Sequence, residues 1–353
     1  MTDTASVVPM SSGTTKIEIE QVESVSVSPP PWWAAFASAL GRRTPLGRYR
    51  LMNAVCRNLG AGRPVAPFVA RLPRDLGAAR FVCDPRDVIA REAWFCGRYE
   101  AIETRLVRHW LEPGGTFVDV GANWGYFSLV AATRVGPRGR VIALEPDPRV
   151  FVRLTLNRAL NPDLASVIEP LALAASDQAG VARLQGHDET GDNFGLSRLV
   201  AHDRDASNCP DPTTPPTFET NAVRLDDLFE QLGLQTIDLI KIDIEGAEVL
   251  ALRGLERTLR SGQARRLLLE LHPRQLVEYG SSMNAVMDWL HSLGWRGWAI
   301  ADDPRARRRA SYGRDRHESP EAGLKLINPA RAKEACEDPS RLAWPHQVWR
   351  PPA

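Results

Sequence analysis

Between residues 116 and 293, short runs of Val, Ile and Leu alternate with segments whose apolar residues recur at helical spacing. The strand-like runs cover residues 116–120, 140–145, 167–172, 237–242 and 266–271, and the helix-like segments cover residues 126–134, 147–159, 225–232, 247–260 and 283–293. Strands that are apolar on both faces are typical of a parallel sheet with helices on both sides. The alternation therefore predicts an α/β domain built on a doubly wound, mainly parallel sheet.

The flanking segments divide the rest of the chain. Residues 1–28 are rich in Ser, Thr and Val and poor in large apolar residues, so we expect a disordered tail. We interpret residues 29–110 as an N-terminal cap of helices and a hairpin, residues 111–300 as the main domain, and residues 301–353 as an irregular C-terminal extension. A proline-rich insertion over residues 180–222 interrupts the main domain.

Three patterns organise the cap. Aromatic and apolar residues recur at helical spacing over residues 32–40, ahead of several arginines. This predicts a helix that either packs on the main domain or rests on a membrane surface. Residues 68–72 and 79–82 predict a hairpin. The apolar stripe over residues 95–110 predicts one amphipathic helix.

Charge and cysteine content exclude several classes of protein. The chain has 44 Lys and Arg against 43 Asp and Glu, so it lacks the basic excess of a dedicated nucleic-acid binder. No window approaches 18 continuous apolar residues, and no transmembrane span is predicted. Five scattered cysteines without a CxxC pair predict neither a disulfide framework nor a zinc site. These features predict a cytoplasmic protein with reduced thiols.

Residues 117–125 (FVDVGANWG) lead from a strand through a glycine loop into a helix, an arrangement typical of nucleoside-binding sites. Gly121 permits a tight turn, and Gly125 permits a close approach of ligand or backbone. A dinucleotide site needs a second glycine two positions after the first, where this chain has Asn123. Asp119 would also repel a diphosphate, whereas its carboxylate suits an amine-bearing ligand.

The second predicted strand ends in Glu145, which lies 24 positions after Gly121. A carboxylate at that place typically accepts both hydroxyls of a ribose. The glycine loop and the two acids therefore describe a nucleoside site without a pyrophosphate cradle. S-adenosylmethionine fits such a site, because it joins adenosine to an amino acid that carries a sulfonium.

The chain resembles the FkbM family of S-adenosylmethionine-dependent methyltransferases. The runs that carry the resemblance are residues 97–100 (GRYE), 117–125, 145–146 (EP), 174–177 (AASD), 239–248 (LIKIDIEGAE) and 268–272 (LLELH). The resemblance implies a class I, Rossmann-like methyltransferase fold, with a seven-stranded sheet that has one antiparallel strand near its edge. It also implies transfer of a methyl group to a hydroxyl of a sugar, a glycan or a polyketide-type metabolite.

The resemblance further implies which residues hold S-adenosylmethionine. Asp119, Gly121, Asn123 and Gly125 would face its methionine end. Glu145 would hold the ribose, and Ser176 and Asp177 would lie near the adenine.

Methyl transfer to a hydroxyl needs in-line alignment of the reactants and removal of the hydroxyl proton. The candidate bases are Asp243, Glu245 and His272, of which the histidine has the ordinary pKa best suited to neutral pH. Asp243 is alternatively an anchor for the amino group of the cofactor or a ligand of a divalent cation, and metal use stays open.

Two neighbours on the same strands, Lys241 and Glu270, are interpreted as structural, with Glu270 or Asp119 as the partner of a buried lysine. Residues 192–198 (DNFGLSR) resemble a family stretch that folds over the site, which makes Asn193 and Ser197 candidate contacts to the acceptor.

Two other functions stay open. One is an NAD-dependent oxidoreductase or epimerase, which is disfavoured by Asn123, by Asp119 and by the absence of a Tyr-x-x-x-Lys pair. The other is a non-catalytic scaffold of a glycan assembly complex. The expected partner is a small-molecule or glycan acceptor. Nucleic acid is not expected, a peripheral membrane contact stays open, and the sequence does not define the oligomeric state.

Overall fold

The structure, a computed structural model, describes residues 30, 32–43, 49, 51–55, 67–186, 197–200, 217–300, 321, 324–327 and 346–352. The predicted disordered tail, the acceptor candidate Asn193 and residues 201–216 of the insertion lie outside the described residues. The strands are β1 (Phe68–Arg71), β2 (Arg80–Cys83), β3 (Thr116–Val120), β4 (Arg140–Leu144), β5 (Ile168–Leu171), β6 (Leu173–Ala175), β7 (Gly180–Gln185), β8 (Arg198–Leu199), β9 (Thr217–Val223), β10 (Leu239–Ile242), β11 (Leu267–Glu270), β12 (Arg296–Ile300), β13 (Leu324–Leu326) and β14 (His346–Arg350). The α-helices used below are α1 (Trp32–Gly41), α2 (Val88–Phe95), α3 (Ala101–Trp110), α4 (Tyr126–Val135), α5 (Pro148–Ala159), α6 (Pro162–Ala165), α7 (Leu225–Gln231), α8 (Glu248–Arg253), α9 (Glu256–Ser261), α10 (Pro273–Leu276) and α11 (Met283–Ser292).

The main sheet of the described residues has eight strands in the order β13-β12-β14-β11-β10-β3-β4-β5. Strands β5, β4, β3, β10 and β11 run parallel to one another. Strand β14 pairs antiparallel with both β11 and β12, and β13 adds a further antiparallel pair at the edge. The α/β fold with a doubly wound sheet is confirmed, whereas the sheet has eight strands instead of seven.

Alternate side chains of the central strands enter two separate hydrophobic cores. Phe117, Leu239 and Leu268 belong to the core that includes residues of α2, α3 and α4. Val118 and Ile240 belong to the core that includes residues of α7, α8 and α11. Because successive side chains of a strand point to opposite faces, both faces of the sheet are covered by helices.

The C-terminal part differs from the predicted irregular extension over residues 301–353. Residues 346–350 form β14, an interior strand in which Val348 and Trp349 are fully buried. The polar residues His346 and Gln347 hid this strand from a search for apolar runs. Gln347 is buried, and its side-chain oxygen accepts a hydrogen bond from Trp349 Nε1 at 2.9 Å. This hydrogen bond compensates for the burial of the polar amide inside the sheet.

The predicted irregular insertion over residues 180–222 also differs from the structure. Its described residues contribute β7, β8 and β9 to a second, four-stranded sheet in the order β6-β9-β7-β8. Burial along β9 largely alternates, with Thr220 and Ala222 facing inwards. These buried residues are small or polar, so the strand lacks the Val and Ile run that marks a buried strand.

The helix predicted over residues 95–110 begins only at Ala101, as α3, because Phe95 is the last residue of α2 and a break separates the two helices. Gly97 and Glu100 have positive φ angles of 81° and 41°, so the backbone leaves the helical region there. The apolar stripe continues across the break because both helices pack on the same core. The helix predicted over residues 247–260 is likewise divided into α8 and α9.

Helix α1 is attached to α2 by polar contacts, and two of its aromatic residues, Trp32 and Phe36, are exposed. Ser38 Oγ donates a hydrogen bond to the carbonyl of Trp94 at 3.0 Å. The exposed fraction is 81% for Trp32 and 69% for Phe36, so these two rings do not pack on the main domain as the helical-cap interpretation expected. Within the described part of the chain, every helix is too short or too polar to cross a bilayer.

We predict that Trp349→Ala lowers the free energy of unfolding by about 3–5 kcal/mol, because it empties a fully buried site inside the main sheet. The matched control, Trp32→Ala, removes the same side chain from an exposed position and should change stability by less than about 0.5 kcal/mol. Urea unfolding followed by circular dichroism measures both. Equal stability of the two variants would contradict an interior position for β14.

Candidate active site

The loop after β3 is held by its backbone. Gly121 and Ala122 both donate hydrogen bonds to the carbonyl of Leu144 at the end of β4, at 3.0 and 2.9 Å. Gly121 has a φ of 81°, and a Cβ placed on it would lie 1.9 Å from the carbonyl oxygen of Asp243. The predicted tight turn is therefore present, and its close approach is to the chain segment that follows β10.

Asn123 occupies the left-handed region at a φ of 52°, a conformation that asparagine tolerates better than most residues. Its Oδ1 accepts a hydrogen bond from the N–H of Trp124 at 2.7 Å. The Trp124 ring is fully buried and stacks on Phe81, with ring centroids 5.1 Å apart. That ring therefore packs the loop against the cap hairpin.

Glu145 stands directly after β4, and backbone N–H groups hold its carboxylate. Its Oε2 accepts from Asn123 N and its Oε1 accepts from Asp147 N, both at 2.9 Å. Burial raises the pKa of Glu145 to about 8, although both N–H groups favour the ionised form. The carboxylate therefore connects the glycine loop to the start of α5.

Asp119 lies deeper than the resemblance implied. It is buried, and its Oδ2 accepts a hydrogen bond from Ser128 Oγ of α4 at 2.6 Å. Its Oδ1 is also buried and accepts no hydrogen bond from the described residues. Burial raises the pKa of Asp119, while the nearby ammonium of Lys241 acts to lower it.

Lys241 is buried beside Asp119, and its partner differs from both predicted ones. Its Nζ donates to Asp243 Oδ2 at 2.8 Å and lies 4.9 Å from the ring centroid of Phe127. Burial disfavours the ammonium, but Asp243 and the other surrounding carboxylates raise the pKa of Lys241 above its ordinary value. In return Lys241 lowers the pKa of Asp243 against the effect of burial. Asp243 is thus an ionised carboxylate in an ion pair.

His272 is held at both ring nitrogens by carboxylates. Its Nδ1 is 2.7 Å from Glu248 Oε1, and its Nε2 is 3.5 Å from Glu245 Oε2. Burial acts to lower the pKa of His272, but the hydrogen bond to Glu248 and the charges of the surrounding carboxylates raise it to about 10. These carboxylates favour the protonated imidazole, whereas the prediction of His272 as a base rests on the ordinary pKa of histidine.

A second group of acids and a histidine lies on the neighbouring strands. Glu270 of β11 pairs in register with His346 of β14, and His346 Nε2 is 3.5 Å from Glu270 Oε1. Glu100, at the break between α2 and α3, completes this group. Its Oε2 is buried without a hydrogen-bond partner among the described residues, and burial raises the pKa of Glu100 to about 8.

A cavity of about 1150 Å³, including its open mouth, joins these features. Six of the predicted site residues line it: Gly121, Asn123, Glu145, Ser197, Asp243 and Glu245. Its apolar lining includes Leu144, Ala174 and Ala175. A lining that combines apolar side chains with a few polar groups is typical of a small-molecule site.

Five predicted site residues are not part of this lining: Asp119, Gly125, Ser176, Asp177 and His272. Ser176 donates its N–H to the carbonyl of Val223, and Asp177 lies 3.9 Å from Arg253, so both belong to the junction with β9 and α8. Gly125 starts α4, where a Cβ would lie 2.7 Å from Leu154. This glycine therefore serves helix packing.

Sequence reasoning missed Glu100 and His346 and interpreted Glu270 as structural, although Glu270 lines the cavity. Glu100 lies within the GRYE run, which carried part of the family resemblance without an assigned role. His346 lies on β14, a strand that was not predicted, so no sequence pattern indicated that this histidine lies near the site.

Comparison with known proteins adds a family match. The model of the Methyltransferase FkbM domain matches residues 119–296. The chain is 34% identical over 188 residues to 31-O-demethyl-FK506 methyltransferase FkbM of Streptomyces tacrolimicus, covering 48% of this chain and 71% of that protein. It is 29% identical to 2-O-methyltransferase NoeI of Sinorhizobium fredii, over 52% of this chain and 73% of the relative. It is 26% identical to hexuronic acid methyltransferase AglP of Haloferax volcanii, over 63% and 81%.

Among solved structures, the chain matches methyltransferase FkbM of Methylobacillus flagellatus with a TM-score of 0.37 and 15% identity. That match covers 88% of this chain and 61% of the other.

We predict that Gly121→Ala both destabilises the protein and abolishes ligand binding in the cavity, because its Cβ would collide with the carbonyl of Asp243. The matched control is Gly114→Ala, which has a similar φ of 85° but no atom within 4 Å of the added Cβ. The control should lose only about 1 kcal/mol from its positive φ. Urea unfolding of both variants measures the difference, and equal losses would contradict the close approach.

Proposed function

Because the chain belongs to the FkbM methyltransferase family, we propose that it is an S-adenosylmethionine-dependent O-methyltransferase. The proposed acceptor is a hydroxyl group of a sugar, a glycan or a polyketide-type metabolite. The observation that carries the proposal is the cavity lined jointly by the glycine loop, by Glu145 and by the carboxylates that follow β10.

The charges around the cavity favour this cofactor over a dinucleotide. Glu145, Asp243 and Glu245 line the cavity, and its lysine is already paired with Asp243. Carboxylates repel a pyrophosphate and attract the sulfonium and ammonium groups of S-adenosylmethionine.

Two sets of residues are proposed to hold the nucleoside. Each oxygen of Glu145 accepts one N–H and has capacity for another donor, so the carboxylate is proposed to accept the ribose hydroxyls. Ala174 and Ala175 line the cavity and are proposed to contact the adenine, with Ser176 and Asp177 behind them. These assignments match the carboxylate of Glu145 with the polar ribose and the two alanines with the flat adenine ring.

When bound, S-adenosylmethionine supplies a methyl group on a positively charged sulfur, and the acceptor oxygen bonds to that methyl group as its bond to sulfur breaks. Asp243 and Glu245 are proposed to orient the acceptor, and a carboxylate of this cluster receives the hydroxyl proton. Ser197 also lines the cavity, where Asp147 accepts its hydrogen bond at 2.6 Å, and it is proposed as an acceptor contact.

The relatives support the choice of acceptor. Two are named for O-methylation and one for a hexuronic acid, which supports oxygen as the methylated atom and a sugar as one acceptor class.

The proposal predicts that calorimetric titration detects S-adenosylmethionine and S-adenosylhomocysteine and does not detect NAD. Glu145→Ala should weaken both by about 10- to 100-fold, because hydrogen bonds to a charged group are lost. The matched control, Glu219→Ala, removes an exposed glutamate of β9 and should bind normally. Transfer of a labelled methyl group to a panel of sugars and polyketides then identifies the acceptor. Binding of NAD alone would favour an oxidoreductase, and failure to bind any of the three would favour a scaffold.

The raised pKa of Glu145 predicts how binding depends on pH. Ribose hydroxyls donate to the ionised carboxylate, so below a pKa of about 8 a proton must first leave. The affinity for S-adenosylhomocysteine should therefore rise by roughly eightfold from pH 7 to pH 8.5, as one-proton linkage requires. Titrations of Glu145→Gln should lack this rise. A wild-type affinity that stays constant over this range would contradict the ribose contact.

A further inference from the structure

The contacts of His272 have the spacing of metal ligands. Its Nε2 is 3.5 Å from Glu245 Oε2 and 3.8 Å from Glu270 Oε1, and both separations exceed the normal range of a hydrogen bond. Ligand atoms around an octahedral ion with bonds of about 2.1 Å lie about 3.0 Å apart when adjacent and about 4.2 Å apart when opposite, and both separations fall between these values. Carboxylate oxygens of Asp243 and Glu245 and a nitrogen of His272 all lie within 4.8 Å of one another.

Glu248 orients this histidine from behind. It is fully buried, and its Oε1 is 2.7 Å from His272 Nδ1 while also accepting the N–H of Gly246 at 2.8 Å. A carboxylate on one ring nitrogen fixes the imidazole so that the other nitrogen faces a metal ion. The second oxygen of Glu248, Oε2, is buried and accepts no hydrogen bond from the described residues.

The local excess of carboxyl groups also favours a cation. Carboxyl groups outnumber basic side chains here by seven to three: Glu100, Glu103, Asp119, Asp243, Glu245, Glu248 and Glu270 against Lys241, His272 and His346. Lys241 is already committed to Asp243. Buried carboxylates are stable when they are paired or coordinate a metal, and within the described residues the pairing is incomplete.

We propose that Asp243, Glu245 and His272 bind a divalent transition-metal ion at the cavity, with Glu248 as a positioning residue. The imidazole favours a transition-metal ion over Mg²⁺ or Ca²⁺, which prefer oxygen ligands alone, and Mn²⁺ is a suitable probe because it also accepts the two carboxylates. Asp243 and Glu245 line the cavity, so the remaining coordination positions face the space where the acceptor is proposed to bind. Binding of the ion does not depend on the proposed function. A role of the ion in holding the acceptor hydroxyl does rest on the proposed function.

Titration of the full-length, untagged protein with Mn²⁺, followed by electron paramagnetic resonance, tests the site. One tightly bound ion is expected, with nitrogen modulation from one imidazole. His272→Gln should abolish the modulation and weaken binding by more than about 100-fold, and Glu248→Gln should weaken it by about 10- to 100-fold. Glu245→Gln, which keeps the size of the side chain and removes its charge, provides a second ligand variant and should also weaken binding. The control His109→Gln, on an exposed helix position, should bind Mn²⁺ like the wild type.

Three results would overturn the proposal: no bound Mn²⁺, unchanged binding in His272→Gln and Glu245→Gln, or loss of binding in His346→Gln alone. The last result would assign the ion to the neighbouring group of Glu100, Glu270 and His346. S-adenosylhomocysteine titrated into the same samples separates the two proposals. If S-adenosylhomocysteine binds and Mn²⁺ does not, only the metal site is overturned. If Mn²⁺ binds and S-adenosylhomocysteine does not, only the proposed function is overturned.

Discussion

One backbone contact fixes the geometry of the site. Gly121 lacks a side chain exactly where the carbonyl of Asp243 approaches, since a Cβ there would lie 1.9 Å from that oxygen. The N–H of Asp243 in turn donates to the carbonyl of Val120 at 3.1 Å. The loops after β3 and β10 are therefore packed directly on each other. This packing couples the position of the glycine loop to that of the carboxylates after β10. It therefore helps to fix the distance between the proposed cofactor site and the proposed acceptor site.

The chemistry of the site comes from a change of residue type along one face of the sheet. Three strands carry an apolar residue in the core and then, two positions further on the same face, a polar one: Phe117 and Asp119, Leu239 and Lys241, and Leu268 and Glu270. The apolar residues anchor each strand, and this anchoring keeps the polar residues close together despite their charges. Strand β14 runs the other way and brings His346 to the same edge beside Glu270. Pairing of Lys241 with Asp243 offsets part of the cost of burying this row.

Local patterns predicted the part of the site that local structure builds. The alternation of strands and helices, the glycine loop and the position of Glu145 each depend on residues close together in the chain, and all were predictable. Glu100 depends on a helix break that its apolar stripe conceals, because both helices pack on one core. His346 depends on the insertion of β14 between β11 and β12, a long-range pairing that leaves no periodic signal. The spacing of residues on a strand shows which side chains share a face, but it does not show which carboxylate the long side chain of Lys241 contacts.

The two halves of the site therefore have different origins in the chain. The glycine loop, Glu145 and the carboxylates after β10 lie within residues 119–296, the span that matches the family model. Glu100 and His346 lie outside that span, one from the cap and one from the C-terminal strand. Both lie close to Glu270, which lines the cavity, and so they contribute to the charge around that residue. The charge on the proposed acceptor side is therefore decided in part by two segments outside the span that the family model matches.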